Sequence, residues 1–530
     1  MQGDIARYSI TAACYSGFLL FGYDQGVFGG LLSNRHFLET FNYPSPTIQG
    51  QIVATYDIGC IIGTLLSIFI GDKLGRRRCI LVGCVILIIG GILQASSYSL
   101  PPMIVGRVVA GIGNGMNTIA IPIWQCETAK AHHRGKLIVF QLVTNTFGIV
   151  ITNVCQNLSP HRNKILYCEL MRTSKWMNYG FTYIPNHPVS WRFPLAFQCF
   201  FAIIAIAMVL VAPESPRWLV MRDRVEEAQK ILARLAGKPS NNTEVMDEIQ
   251  YLVATVLHEG EVQNSVSVRE VFSSREQMTI RRILLGAGTP FFQQMGGVNV
   301  IAYYLPVVLV RSFGMTDRMA LALSACDSIS LMFWGAITAF LIDRVGRRRL
   351  MLGGVAASGI CFALVAVGLR YGGPGSPNKG MSIFAVVFIF MYYVFYGMSM
   401  LSIPYMYPAE INSQRMRNIG TSIATAVNWI FVYVVVVITP TAIENIGWKY
   451  YLIYAVFNIS FVPVIWRWYV ETANLSLEQV DRLFRIKYEG GKGISWKEAT
   501  RLAGVENQEV IGRKIHDVEH AEFVQNAEQN

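Results

Sequence analysis

Apolar stretches of about 20 residues, separated by short polar segments, recur along almost the whole chain. An α-helix of that length crosses the hydrocarbon core of a bilayer. The pattern predicts six spans in the first part of the chain, at about 8–30, 48–70, 79–99, 103–125, 136–157 and 191–212. It predicts six more in the second part, at about 280–309, 319–341, 350–370, 381–405, 419–440 and 448–468. We therefore expect an all-α membrane protein with twelve transmembrane helices.

Two polar regions divide this pattern. Residues 213–278 have a helical pattern, as in RVEEAQKILARLAG, and the chain after residue 470 is polar again. We predict four units: a six-helix half over 1–212, a cytoplasmic helical linker over 213–278, a second six-helix half over 279–469, and a cytoplasmic tail over 470–530.

Composition supports a membrane protein, because 52% of the residues are hydrophobic, only 15% are charged and the mean hydropathy is +0.38. Soluble proteins carry charge on about a quarter of their residues. The net charge of +11 could indicate a nucleic-acid partner, but the basic residues cluster at span ends. The positive-inside rule explains that clustering better, so we expect no nucleic-acid partner.

The same clusters orient the chain. Basic groups at Arg76–Arg78, Arg347–Arg349 and Arg415/Arg417 fall on one side of the predicted spans, together with the linker. An even number of spans places both termini on that side, which the rule identifies as the cytoplasm. The ten cysteines show no metal-binding spacing, so we expect neither a metal nor a cofactor.

The two halves repeat. GDKLGRRR at 71–78 returns as IDRVGRRR at 342–349, Glu127 and Arg134 are spaced like Glu410 and Arg417, and PESPRW and VETANL follow the sixth and twelfth spans. Matched landmarks in the same order predict a duplicated six-helix unit with a site between its halves. We expect charge-assisted bonds at the cytoplasmic span ends, with Asp72 and Asp343 as acceptors, to act as a conformational latch. The predicted latch residues are Asp72, Arg76, Arg77, Glu127, Arg134, Glu214, Arg217, Asp343, Arg347, Arg348, Glu410 and Arg417.

An acidic residue, Asp24, lies within the first span. A carboxylate in lipid is costly, so an intramembrane acid indicates a functional site with a partner. Helical rise places Arg107 of the fourth span at a similar depth, and an arginine keeps its charge while an aspartate can take up a proton. The alternatives are a structural salt bridge and a helix end at the surface.

Three amide side chains, Gln293, Gln294 and Asn299, fall within seven residues of the seventh span. Neutral donors and acceptors suit a polyhydroxyl substrate, and hydrogen bonding between helices is the alternative. Of the following Tyr303 and Tyr304, we expect one to face the cavity as an outer gate and the other to lie in the core.

These residues resemble the sugar porter family of the major facilitator superfamily. The matching strings are FGYDQG, GDKLGRRR, GRVVAGIGNG, PESPRW, QQMGGVNVIAYY, DRVGRRR, YPAE and NW. GMNTIAIPIWQCET and WRFPLAFQ further resemble a fungal branch of proton-coupled glycerol and hexose transporters. The resemblance implies a major facilitator fold, a sugar or polyol substrate and proton coupling through Asp24 and Arg107.

The resemblance also implies a substrate site. The family's sugar-binding amides fall on Gln293, Gln294 and Asn299, and a sugar-contacting pair falls on Asn428 and Trp429, whose ring can stack on a sugar. Two positions depart from the family: Tyr405 stands where many members have a tryptophan, and Leu142 takes the place of a glutamine. Because Gln141 precedes Leu142, its amide is turned by about 100° and is the remaining candidate in the fifth span.

We therefore predict a plasma-membrane transporter, acting as a monomer, that moves a hexose, pentose or glycerol-like polyol together with a proton. A proton-independent facilitator and a transporter-like nutrient sensor are the alternatives; the tail of about 60 residues is short for a sensor. No nucleophile–base or metal constellation indicates an enzyme.

Residues 154–175 carry four basic residues and one acid on the predicted outer side. This contradicts the inside bias of positive loops. Removing them joins Asn153 to Trp176 and improves the resemblance, and the codons permit a short in-frame intron of 66 bases, three for each of these 22 residues. We predict a translated intron; the alternative is a genuine loop.

Overall fold

The computed structural model describes residues 4–32, 34–129, 134–157, 188–250, 252–253, 278–372, 379–413, 416–473, 475, 477–490, 493–496 and 498–503. Over these residues the regular structure is helical. The predicted intron at 154–175 lies outside the described residues, except for the backbone of 154–157 at the end of a helix, and stays a prediction.

Within the described residues, the first half contains seven helices, of which all but α2 are long enough to span a bilayer. They are α1 Asp4–Leu31, α2 Arg35–Thr40, α3 Pro46–Leu74, α4 Arg76–Ala95, α5 Leu100–Thr128, α6 Arg134–Asn157 and α7 Val189–Val211. Two shorter helices, α8 Pro216–Met221 and α9 Val225–Ala236, begin the linker, and residues 243–250 are helical as well.

The second half repeats this order with two of its spans broken. Its helices are α10 Thr279–Met295, α11 Val298–Phe313, α12 Asp317–Val345, α13 Arg347–Gly372, α14 Lys379–Met398, α15 Ile403–Ile411, α16 Arg417–Ile446 and α17 Lys449–Trp468. A tail helix, α18 Leu477–Glu489, follows.

The spans agree with the twelve expected. Ten stretches within the described residues are long and apolar enough to cross a membrane. The other two spans are α1, which carries Asp24, and the pair α10 and α11, which have 17 and 16 residues because the seventh span is interrupted. The chain is therefore an integral, multi-pass membrane protein.

The seventh span differs from the continuous helix expected over 280–309. It breaks at Gly296 and Gly297, where Gly297 has φ +92°, a conformation that favours glycine. The carbonyl freed at Gly296 accepts hydrogen bonds from the Asn458 amide at 3.1 Å and the Tyr392 hydroxyl at 3.3 Å. The tenth span also breaks, between α14 and α15. Broken spans are tolerated in lipid where neighbouring helices satisfy the freed backbone groups.

Glycines bring α3 and α5 into backbone contact. A Cβ atom built at Gly59 or Gly63 would lie 2.2 Å or 2.1 Å from a carbonyl oxygen of α5, and one at Gly111 would lie 2.1 Å from the Tyr56 carbonyl oxygen. Small residues four apart permit such close approach between membrane helices. This contact places Tyr56 and its neighbours on α3 directly against α5.

The two halves meet where α3 of the first half packs against α16 of the second half. The Thr47 and Thr441 hydroxyl oxygens are 3.3 Å apart, and a Cβ at Gly50 would lie 3.0 Å from the carbonyl oxygen of Val437. Nearer the middle of the bundle, the rings of Phe21 and Trp429 meet edge to face at 5.7 Å. The Thr47–Thr441 contact lies at the N-terminal end of α3, the end predicted to face outward.

The linker contains a small core of its own, whereas the tail contacts the spans. Trp218 of α8, Leu232 of α9 and Val245 belong to a small buried cluster. In the tail, Asp481 of α18 forms a 2.5 Å ion pair with Arg282 at the start of α10.

Candidate functional site

Asp24 on α1 and Arg107 on α5 meet in the interior of the first half. Their Oδ1 and Nη1 atoms are 3.5 Å apart, and the two side chains are 0% and 2% exposed. The surface alternative for Asp24 is therefore wrong, and the predicted pairing with Arg107 is present.

Arg107 is held in place by α3 and by two rings. Its Nε donates to the Ile52 carbonyl at 3.3 Å and its Nη2 donates to the Val53 carbonyl at 2.9 Å. The guanidinium lies 4.1 Å from the ring centre of Phe28 and 4.4 Å from that of Tyr56. These contacts fix the guanidinium independently of Asp24, so the carboxylate can change its charge without releasing the arginine.

A second buried acid, Asp57, interacts with this pair and was not selected from the sequence. It is 2% exposed, follows Tyr56 on α3, and interacts electrostatically with both Arg107 and Asp24. The signal was available, because Asp57 stands within the second apolar span.

The amides of the seventh span form a connected network with α16. The Asn299 amide donates to Gln294 Oε1 at 2.7 Å, and the Gln294 amide donates to Asn428 Oδ1 at 2.6 Å. The Gln293 amide donates to the Tyr396 hydroxyl at 2.9 Å and the Met400 carbonyl at 2.8 Å. Four of the predicted substrate-binding residues therefore lie together, and Tyr396 joins them.

The other predicted binding residues are more dispersed. Trp429 is buried against Phe21, and its indole Nε1 has no hydrogen-bond partner among the described residues. Gln141 is fully buried, and both of its amide atoms lack a partner within the same part of the chain. Tyr405, at the position that departs from the family, is half-buried at the edge of the core.

The two tyrosines of α11 have different surroundings. The Tyr304 hydroxyl donates to the Val436 carbonyl at 3.0 Å, a packing contact within the second half. Both tyrosines interact electrostatically with Asp57 and Arg107 of the first half, and Tyr303 interacts with Asp24 as well. Both side chains are buried, so the choice of one of them as the outer gate stays a prediction.

The first of two charged clusters at the ends of the spans joins three elements. Arg76 Nε and Nη2 donate to the two carboxylate oxygens of Glu127 at 3.1 Å and 3.0 Å. Glu214 accepts from the backbone N–H of Arg77 at 3.2 Å and of Ser215 at 2.9 Å. Burial raises the pKa of the Glu214 carboxyl, and these backbone donors oppose that shift.

The second cluster repeats this geometry. Arg347 Nε and Nη2 donate to the Glu410 carboxylate at 3.2 Å and 2.9 Å, and its Nη1 donates to Asp343 at 2.8 Å. Glu471 takes the place of Glu214 and accepts from the backbone N–H of Arg347 at 2.8 Å and of Arg348 at 3.1 Å. Glu471 belongs to the VETANL segment that repeats PESPRW, but it is not among the predicted latch residues.

Glu127 and Glu410, rather than the aspartates, accept both guanidinium bonds of a bidentate pair in these clusters. Asp343 is an additional acceptor for Arg347, and its part in a latch stays a prediction. Arg417 donates to the Ala409 carbonyl at 2.9 Å, and Arg217 is a half-buried residue of α8. The side chains of Asp72 and Arg134 lie outside the described residues. Each cluster connects the ends of spans within its own half.

Comparisons with known proteins agree with this architecture. The family model for sugar (and other) transporters matches residues 9–484. Among solved structures, the MFS proton:xylose symporter XylE bound to 6-bromo-6-deoxy-D-glucose superimposes with a TM-score of 0.71 at 24% identity, over 91% of this chain and 100% of that chain. That likeness shows the fold, which is the major facilitator fold.

Fungal relatives are more similar in sequence. The MFS-type transporter oryC of Aspergillus oryzae is 40% identical over 92% of this chain and 86% of its own length. The sugar transporter STL1 of Saccharomyces cerevisiae is 34% identical over 96% of this chain and 86% of its own length. These relatives are transporters and not enzymes. The chain belongs to the sugar (and other) transporter family.

Proposed function

We propose that this protein carries a sugar or polyol across the membrane together with a proton. The observation that carries the proposal is the buried Asp24–Arg107 pair in one half, across the bundle from a connected amide network in the other. The names of similar proteins support the substrate class, since they include a sugar transporter, a hexose transporter and a proton:xylose symporter.

The amide network is the substrate-binding part of this proposal. Gln293, Gln294, Asn299 and Asn428 supply neutral donors and acceptors, which match hydroxyl groups without requiring charge. A substrate hydroxyl can replace a partner within the network, as in the Gln294–Asn428 bond of 2.6 Å. Trp429 supplies an aromatic face beside them, with Tyr303 as outer gate and Gln141 opposite in the fifth span.

The ion pair is the coupling part. Protonation of Asp24 removes its attraction to Arg107, while Arg107 stays attached to α3 through Ile52 and Val53. A change of charge at the contact of α1, α3 and α5 can therefore favour one arrangement of the helices over another. Only a titratable group can link a proton gradient to this change.

The mechanism is rocking of the two halves about the central site, as expected for the fold. The outer contact at Thr47 and Thr441 must open, and the clusters around Glu127 and Glu410 act as latches that hold the cytoplasmic ends of each half together. We place the protein in the plasma membrane as a monomer, with both termini and the linker in the cytoplasm, because the basic clusters lie on that side.

Radiotracer uptake tests the proposal. D-glucose, D-xylose and glycerol are offered to a transporter-null host expressing the chain, with and without a protonophore. We expect one of these probes to accumulate, and the protonophore to abolish accumulation. Uptake that equilibrates but ignores the protonophore would favour the facilitator, and no uptake in a surface-expressed protein would contradict the substrate class.

A further inference from the structure

The buried groups around Arg107 include several polar atoms whose hydrogen bonding is incomplete. Five buried polar atoms here make no well-aligned hydrogen bond among the described residues, although Asp24 lies 3.5 Å from Arg107 Nη1 and interacts with the Tyr56 hydroxyl. They are both carboxylate oxygens of Asp24, Oδ2 of Asp57, the hydroxyl of Tyr56 and Nη1 of Arg107. Buried polar groups are normally paired, so such a concentration points to a ligand or a proton.

The charges of this pocket do not balance if every group ionises in the usual way. Arg107 is the cation acting on both Asp24 and Asp57. Two carboxylates beside one guanidinium leave one uncompensated negative charge in an apolar interior, which is costly. When like charges share a buried site, one of them takes up a proton.

Asp57 is placed to take part in this balance. The titratable groups that interact with it lie on four elements: Asp24 on α1, Cys60 on its own helix α3, Arg107 on α5, and Tyr303 and Tyr304 on α11. Asp57 therefore interacts both with the Asp24–Arg107 pair and with the helix of the outer gate.

We propose that Asp57 is a second proton-binding carboxylate that shares the positive charge of Arg107 with Asp24, so that the closed pocket holds one proton between the two acids. Its role in transport rests on the proposed proton-coupled function, whereas the shared proton does not. Because either acid alone neutralises Arg107, each single acid can be removed at lower cost than both.

Thermal unfolding of the purified, detergent-solubilised full chain tests this, measured from about pH 5 to about pH 8. Folding retains a proton that the unfolded chain releases, so wild-type stability is full at acidic pH and falls as the pH rises. Asp57→Asn leaves one carboxylate, Asp24, to balance Arg107, so its Tm should fall less as the pH rises. Asp57→Glu keeps a titratable group and should show the same fall as the wild type. An unchanged slope in Asp57→Asn would overturn the proposal.

A double-mutant cycle separates sharing from simple burial of an acid. The double variant Asp24→Asn/Asp57→Asn removes both carboxylates that balance Arg107. Its loss of Tm should therefore exceed the sum of the losses in the two single variants. The matched control is Asp327 on α12, another fully buried acid whose oxygens lack a described partner. Asp24→Asn combined with Asp327→Asn should be additive; equal behaviour of the two cycles would refute sharing.

Asp24→Asn provides a second decision if Asp57→Asn does not fold. With Asp57 present, Asp24→Asn still leaves one carboxylate to balance Arg107, so its Tm should fall less as the pH rises. If the two acids did not share the charge, Arg107 would be left uncompensated and the fall of Tm would not be reduced.

Uptake distinguishes the two proposals. The expected Tm profiles together with protonophore-insensitive uptake would overturn proton coupling alone. Proton-coupled uptake without those profiles would overturn the shared proton alone.

Discussion

At the residue scale, the interior is marked by polar side chains whose hydrogen bonds are incomplete. Gln141, the Trp429 indole and the Asp24 carboxylate are buried without a described hydrogen-bond partner. Unsatisfied buried groups are expensive in an apolar bundle, so they are retained where a substrate or a proton completes them. Asp24 is such a residue, whereas Gln293 and Asn299 are buried amides that are already hydrogen-bonded to their neighbours.

Asp24→Asn should abolish uphill accumulation while sparing some downhill exchange, because asparagine preserves the shape of the side chain but cannot take up a proton. Accumulation ratio and counterflow are measured in the same transporter-null cells, with Asp24→Glu as the titratable control. Accumulation against a gradient by Asp24→Asn would show that the coupling assignment is wrong.

Gln293→Ala and Asn299→Ala should each weaken substrate binding, because each removes a neutral donor worth about 0.5–1.5 kcal/mol. The apparent KM should rise about 2- to 10-fold at unchanged surface expression. Asn117→Ala is the control, because Asn117 is a buried amide in the first half that donates to the Cys84 thiol. Unchanged kinetics in both test variants would move the site elsewhere.

At the element scale, interruptions of helices and helix-to-tail contacts define the second half. The seventh span breaks at Gly297, and the tail helix α18 packs beneath the start of α10, where the Arg282 guanidinium lies 4.3 Å from the ring centre of Phe484. Both features fix α10, which carries Gln293 and Gln294. They can be tested by stability as well as by transport.

Gly297→Ala should destabilise the protein by about 1–3 kcal/mol, the usual strain of a side chain held at such a backbone angle. The added Cβ would also lie 2.8 Å from the Phe362 ring and 2.9 Å from Tyr454. Thermal unfolding and expression are measured against Gly353→Ala, because Gly353 lies in helix α13 with open space around it. Equal Tm values for the two variants would contradict the requirement for glycine.

Asp481→Asn should cost about 1–3 kcal/mol of stability, because it removes the anion paired with the 1% exposed Arg282 side chain. The exposed pair Arg224–Glu227 provides the control, and Glu227→Gln should change stability by less than about 0.5 kcal/mol. If both variants had the same stability as the native protein, the contact between the tail and α10 would not contribute to stability.

At the scale of the whole molecule, the two halves are related by repetition and contact each other at Thr47 and Thr441. The bidentate pairs Arg76–Glu127 and Arg347–Glu410 occupy matching places in the two halves. The outer contact at Thr47 and Thr441 connects one half to the other. Transport by rocking requires that this outer contact separate in every cycle.

The double variant Thr47→Cys/Thr441→Cys should lose uptake on oxidation and regain it on reduction. The native hydroxyl oxygens are 3.3 Å apart, so a disulfide between the halves needs little movement and would hold the outer side closed. Uptake with oxidant and with reductant is compared with each single variant. Full uptake by a protein shown to be cross-linked would exclude opening at this contact.

Hydrophobic periodicity and repeated motifs determined much of this protein by themselves. The spans, the duplication and the cytoplasmic clusters follow from local sequence, because a helix in lipid must satisfy its own backbone and its length is set by the bilayer. Asp24 and Gln293 could be selected for the same reason, since a polar side chain within an apolar span is conspicuous.

Only the tertiary structure decided which of these groups meet. The approach of α3 to α5 through Gly59, Gly63 and Gly111 depends on packing between distant segments, and it lets Asp57 of α3 interact electrostatically with Arg107 of α5. The backbone groups freed at the breaks in the seventh and tenth spans are likewise satisfied by hydrogen-bond donors on other helices, such as Asn458 and Gln293. Local pattern reports the burial of a residue, whereas its partner is fixed by how helices far apart in sequence pack together.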